Sequence, residues 1–165
     1  MDFSDIDSIK ENGFKGFYTI NSLWKDSSVI PSEPGVYMVL RISDGEPSFL
    51  HPGVGGFFKG KDPNLSEEQL QLNVVTGTPV VYIGKAGSLT GSATLRSRLR
   101  QYLKFGQGRN IGHYGGRLIW QLKDHADLVL CWKPVPDDDP RIVEKEMLGE
   151  FIRQYGKRPY ANLTG

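Results

Sequence analysis

The sequence predicts a small single-domain α/β protein of the α+β type, a compact sheet with helices packed against it. Three observations carry that expectation. Short runs rich in β-branched and aromatic residues at 36–42 and 79–83 are bounded by turn chemistry, as strands are. From Thr94 onward Leu95, Leu99 and Leu103 fall at i, i+4 and i+8, the stripe of an amphipathic helix. Asp139-Pro140 then supplies an N-cap and a first-turn proline for a second long helix, which Gly156 closes.

The chain has 165 residues, enough for one domain with a working core and no staples. Residues 1–30 read as an N-terminal arm with one helix at 4–12 capped by Ser4. Pro31 to Gly35 is a turn that launches the strand at 36–42, and Asp44-Gly45-Glu46-Pro47 ends it. Residues 43–77 form a long insertion with a helical candidate at 66–72 introduced by Asn64, either an ordered lid or a surface loop. The strand at 79–83 stops at Gly84, a loop rich in small residues follows, and the basic helix covers about 94–104. Apolar runs at 117–122 and 127–133 read as two further strands that pair or extend the same sheet, ahead of the helix at 140–155.

Composition narrows the function classes. A net charge of +1 with 24% charged residues gives no global basic field, so any nucleic-acid role has to rest on local clusters. Cys131 is the only cysteine, which rules out an internal disulfide, fits a reducing cytoplasmic setting and reads as buried filler. No window approaches the apolar length of a membrane span, so the expectation is a soluble protein without a membrane partner. No His/Cys cluster has zinc spacing, and no Gly-x-Ser-x-Gly elbow is present. Gly55, Gly60 and Lys61 nearly spell a phosphate loop. Asp62 stands where a magnesium-binding hydroxyl is needed, and no strand leads in, so the stretch reads as a surface turn.

The junction at 79–103 gathers Tyr82, Lys85, Arg98 and Tyr102, groups able to hold a phosphate. Taken in order, Gly35-Val36-Tyr37, Tyr82-Ile83-Gly84-Lys85, Arg98 with Tyr102, Glu144 on the late helix, and Pro159 followed by Asn162 resemble the GIY-YIG nuclease family from Pro34 to Asn162. The resemblance implies a small three-stranded, mostly antiparallel sheet flanked by helices, here with a long insertion between the first two strands. It also implies a metal-dependent endonuclease acting on DNA with one Mg2+ or Mn2+ held by Glu144, and Tyr37, Tyr82, Lys85, Arg98, Tyr102, Glu144 and Asn162 as catalytic positions. Two departures stand out: the insertion separates the two tyrosine motifs, and the loop after Lys85 is extended, which leaves Arg96 and Arg100 as rivals of Arg98.

The residues themselves suit that chemistry. Arginine presents a planar fork to a phosphate, and a glutamate suits a hard ion that keeps its waters. Among the acids of the late helix, Glu144 shares a stripe with Leu148, Phe151 and Tyr155, while Glu146 and Glu150 lie on the charged face. Tyr37 or Tyr82 could orient or deprotonate water, with Lys85 lowering a tyrosine pKa. Asn162 serves either the metal site or the backbone of the terminal segment. Arg96, Arg100, Lys104, Arg109 and His113 are the candidate nucleic-acid contacts. Two other readings stay open, a catalytically silent nucleic-acid-binding module and a protein-interaction domain on the same fold.

Overall fold

The strand Gly35–Leu40 is buried along its whole length, and the architecture follows from what covers it. The computed structural model describes residues 1–113 and 115–163. Strands β1 (Lys15–Thr19), β2 (Gly35–Leu40), β3 (Val80–Ala86) and β4 (Val129–Pro134) form one antiparallel sheet in the order β1-β4-β2-β3. Five α-helices are described, α1 (Ile6–Glu11), α2 (Ile20–Lys25), α3 (Glu67–Asn73), α4 (Leu95–Phe105) and α5 (Pro140–Tyr155). None is long and apolar enough to cross a membrane.

Both faces of the sheet carry a core. On one face Tyr37, Val39, Leu130 and Trp132 pack with α2, α4 and Leu118, Ile119 and Trp120. On the other, Val36, Met38, Leu40, Ile83 and Cys131 meet Ile9 of α1 and Met147, Leu148 and Phe151 of α5. Double-sided burial explains why residues 36–40 run apolar without alternation. Cys131 is fully buried, and desolvation pushes its thiol up to about 12.

Among the described residues the sheet has four strands, where the family resemblance implies three. The extra one, β1, comes from the N-terminal arm and pairs with β4. A register shift between Gly16 and Tyr18 breaks its alternation, which hides it from a period-two reading. The run expected as a strand at 117–122 is a 3-10 turn, Arg117–Gln121, because a short apolar stretch buried on all sides has no periodicity to separate strand from helix. In α1 the N-cap is Asp5, whose side chain accepts from the Asp7 amide, while the Ser4 hydroxyl donates to Asp2. Helix α3 is capped by Ser66 in a reciprocal box with Gln69, and Asn64 instead accepts from the Gly53 amide at 2.8 Å. Helices α4 and α5 begin at Thr94 and Asp139, as read from the sequence.

The insertion is an ordered wall. Gln121, 1% exposed, accepts from the Leu65 amide at 2.8 Å and donates to the carbonyls of Leu65 and Leu50 at 2.9 and 3.3 Å. The Leu50 and Val54 amides also donate to the backbone of Gln121 and Trp120. Truncating Gln121 strands polar groups that burial has already desolvated, each worth about 1–3 kcal/mol. Gln121→Ala is therefore expected to lower unfolding stability by roughly 2–3 kcal/mol in urea titration, and to open the chain to limited proteolysis near residues 50–65. Proteolysis no faster than wild type would show that the insertion is held by other contacts.

Candidate active site

Tyr37 of β2 pairs in register with Gly84 of β3, and the site grows from that pair. Strand β3 does not stop at Gly84 but continues through Lys85 to Ala86. Glycine is needed there for space: a Cβ on Gly84 would fall 2.5 Å from Cζ of Tyr37 and 2.8 Å from the Tyr82 ring. The bare backbone lets the Tyr37 phenol lie across β3, its ring centroid 6.0 Å from that of Tyr82 and 6.3 Å from that of Tyr102.

The three aromatic rings and His113 form one cluster. The imidazole stacks on Tyr102 with centroids 4.3 Å apart at an angle of 14°, and His113 is 2% exposed. Its Nδ1 lies 3.1 Å from the Gly115 carbonyl, which can only accept, so that nitrogen carries the proton. Nε2 is then an acceptor, and the Tyr37 hydroxyl donates to it across 3.4 Å. Burial, with Arg98 adding to it, pushes His113 down to about 3, so the ring is neutral at physiological pH. Tyr102 is buried beneath it and donates to the Gly116 carbonyl at 2.6 Å.

These groups meet others in a cleft of about 550 Å³ at the β3 side of the sheet. Tyr37, Tyr82, Arg98 and His113 enter from one face of the sheet or the loop beyond α4, while Lys85 and the α5 residue Glu144 enter from the other. Ser88, Ser92 and their glycine neighbours form the rim. Glu144 is half-buried, and desolvation raises its carboxyl above the ordinary range, with the Lys85 ammonium offsetting part of the rise. Burial also raises both phenols: Tyr37 goes well above 10, and Tyr82 is pushed up to about 12, with the Glu144 charge adding to desolvation. The expectation that Lys85 lowers a tyrosine pKa is therefore corrected: desolvation raises both phenols, Arg98 is the cation that opposes the rise, and Lys85 acts on Glu144.

The candidates separate by position. Tyr37, Tyr82, Lys85, Arg98, His113 and Glu144 line the cleft, whereas Glu146 is exposed outside it. Tyr102 supports the cluster from below. Arg96 and Arg100 turn toward the loop after α2, donating to the Ile30 and Ser28 carbonyls and to Ser27 Oγ, so neither stands in for Arg98. Lys104 and Arg109 are exposed beyond the cleft, and His113 is a buried partner of Tyr37, not a surface contact. Asn162 holds β3 instead of lining the cleft: its Oδ1 accepts from the Ile83 amide and its Nδ2 donates to the Ile83 carbonyl, both at 2.9 Å. With the Ala161 amide on the Val81 carbonyl, it covers the open edge of the sheet. The small-residue loop after Lys85 is legible in the sequence but its place as the rim is not, and neither is the spacing role of Gly84. The signal available for the rim was the run of small residues after Lys85.

The neutral imidazole has a thermodynamic signature. The unfolded chain binds a proton at His113 near its ordinary pKa of 6.5, while the folded protein resists until about 3. Stability contributed by this residue is thus complete above pH 6.5 and is lost as pH falls through that value, by up to about 1.4 kcal/mol per unit. His113→Gln should flatten the fall in unfolding free energy between pH 6.5 and 4.5; equal slopes in the two proteins would contradict a neutral His113. Asn162→Ala should cost roughly 2–3 kcal/mol by leaving both Ile83 groups without that carboxamide, read as a lower urea midpoint, and an unchanged midpoint would show that the clamp is dispensable. Comparison of the chain with family models, with curated proteins and with solved structures finds no match.

Proposed function

We propose that the cleft hydrolyses phosphodiester bonds, as a GIY-YIG-type endonuclease acting on DNA. One observation carries the reading: Tyr37, Tyr82, Lys85, Arg98 and Glu144, drawn from two strands and two helices spread over more than half the chain, share one cleft. Structural ion pairs do not require two phenols, an arginine and a carboxylate that lacks full hydration to face a common space.

The donor set fits one hard divalent ion. Glu144 supplies a carboxylate whose burial makes a nearby cation favourable, and Lys85 offsets only part of that cost. Magnesium and manganese keep several waters and need few protein ligands, so the lack of a three-ligand cluster among the described residues is compatible with them. Such an ion, held by Glu144, would supply charge neutralisation at the phosphate and the leaving oxygen.

The chain's own groups do the rest. Arg98 donates through Nη1 to Gln101 at 2.7 Å, which fixes the guanidinium and leaves further N–H groups for the oxygens of a phosphate. Tyr37, with its proton directed to His113, turns oxygen lone pairs toward the cleft, where they can accept from an attacking water. Both tyrosines are protonated at rest, so they orient that water and do not start as bases. His113 acts through Tyr37 as a positioning residue.

The test is nicking of supercoiled plasmid with magnesium, manganese or EDTA. The expected result is cleavage only with metal, reduced about 100-fold or more by Glu144→Ala and by Arg98→Ala, and little changed by Arg96→Ala. Cleavage in EDTA, or cleavage indifferent to both cleft variants, would overturn the assignment; binding without any turnover would favour a silent nucleic-acid-binding module.

A further inference from the structure

The glycine-rich turn that fails as a phosphate loop lies beside the cleft. Residues 53–60 of the insertion dock on the end of α4 and the segment that follows it: the Gly56 amide donates to the Phe105 carbonyl at 3.0 Å, and the Lys59 amide donates to Asn110 Oδ1 at 3.3 Å. Approach is so close that a Cβ on Gly56 would collide with the Arg109 carbonyl. The Phe58 ring rests against Gly112, 3.2 Å from where a Cβ would stand, one residue before His113. The turn is thus packed on and hydrogen-bonded to the segment that forms part of the cleft wall.

Its outer side is basic and aromatic. Phe57 is 51% exposed, and Lys59, Lys61, Lys104 and Arg109 are all exposed around the same docked segments, with Asp62 the neighbouring acid. Lys59 Nζ lies 5.3 Å from the Phe58 ring centroid. Lys59 itself is held at φ 53° and ψ 34°, in the left-handed region that disfavours a side-chain-bearing residue, so the turn keeps this arrangement against local preference. Cations follow a phosphate backbone without reading sequence. An exposed phenyl ring offers a stacking face, and bases within a duplex have no free face to offer in return.

We propose that this turn, with Lys104 and Arg109, is a second contact surface that takes a nucleic-acid strand with unpaired bases next to the scissile phosphate. The substrate class is then a single strand, or a duplex with a displaced strand, in preference to uninterrupted duplex. This inference rests on the nuclease reading of the cleft.

The experiment measures fluorescence anisotropy of the full-length Glu144→Gln protein with three labelled DNAs: a duplex, one of its strands alone, and the duplex carrying a single-stranded flap. The same titrations are run with Phe57→Ala or with Lys59→Ala/Lys61→Ala added, after thermal unfolding has shown each to be folded. The expected result is tighter binding of strand and flap than of duplex. Phe57→Ala should weaken strand and flap roughly tenfold and duplex little, and the double lysine variant should weaken all three and reduce the salt dependence by about one to two ion equivalents. Equal affinity for duplex and flap with no effect of Phe57→Ala would overturn the inference and leave the cleft reading intact. If none of the three DNAs binds, the nucleic-acid reading of the cleft fails and takes this one with it.

Discussion

A missing side chain at Gly84 sets the geometry on which the rest of the site depends. Because Tyr37 and Gly84 are paired across β2 and β3, the phenol can cross the neighbouring strand at contact distance instead of standing off it. Tyr82, Tyr102 and His113 then close around it as one aromatic cluster. Dispersion between packed rings is small per atom pair and large in sum. The same packing removes water from both phenols and from the imidazole, which fixes their protonation.

A second constraint comes from placing the cleft across the outer strand of the sheet. The tyrosines belong to the core shared with α4, the helix that carries Arg98, while Lys85 and Glu144 lie on the side covered by α5. Strand β3 is the common member, so its position decides whether the two halves meet. Asn162 and Ala161 pair with the edge that no further strand among the described residues completes. A residue that looks catalytic by motif thus acts through the backbone, at a site where an unpaired edge would be both mobile and adhesive.

Much of this was legible in the sequence, for identifiable physical reasons. Helix α4 announces itself by its leucine spacing, and α5 by an Asp cap, a first-turn proline and a closing glycine, all local signals. Strands β2 and β4 read as apolar runs because they are buried on both sides. What was lost depended on long-range packing. Strand β1 is short and bulged, and the 3-10 turn at Arg117–Gln121 is apolar on every side. In the site, Arg98 lines the cleft while Arg96 and Arg100 do not; the sequence favours Arg98 only through the family resemblance, with Tyr102 one helical turn on, and leaves the other two as rivals. The roles of Tyr102, His113 and Asn162 were not readable, since each is set by a partner 14 to 79 residues away in the chain: Gly116 for Tyr102, Tyr37 for His113 and Ile83 for Asn162.

The strand order has a consequence for how the protein comes to exist. β4 is the last strand in the sequence yet lies between β1 and β2, pairing with both. As the chain leaves the ribosome, β2 and β3 can form their ladder around the tyrosines early, but β1 has no neighbour to pair with for over a hundred residues. Such non-local closure makes the final step slow relative to local hairpin formation. The strand order thus lets the floor of the cleft be built while the sheet still stands open on its β2 side, with β4 as the keystone between β1 and β2.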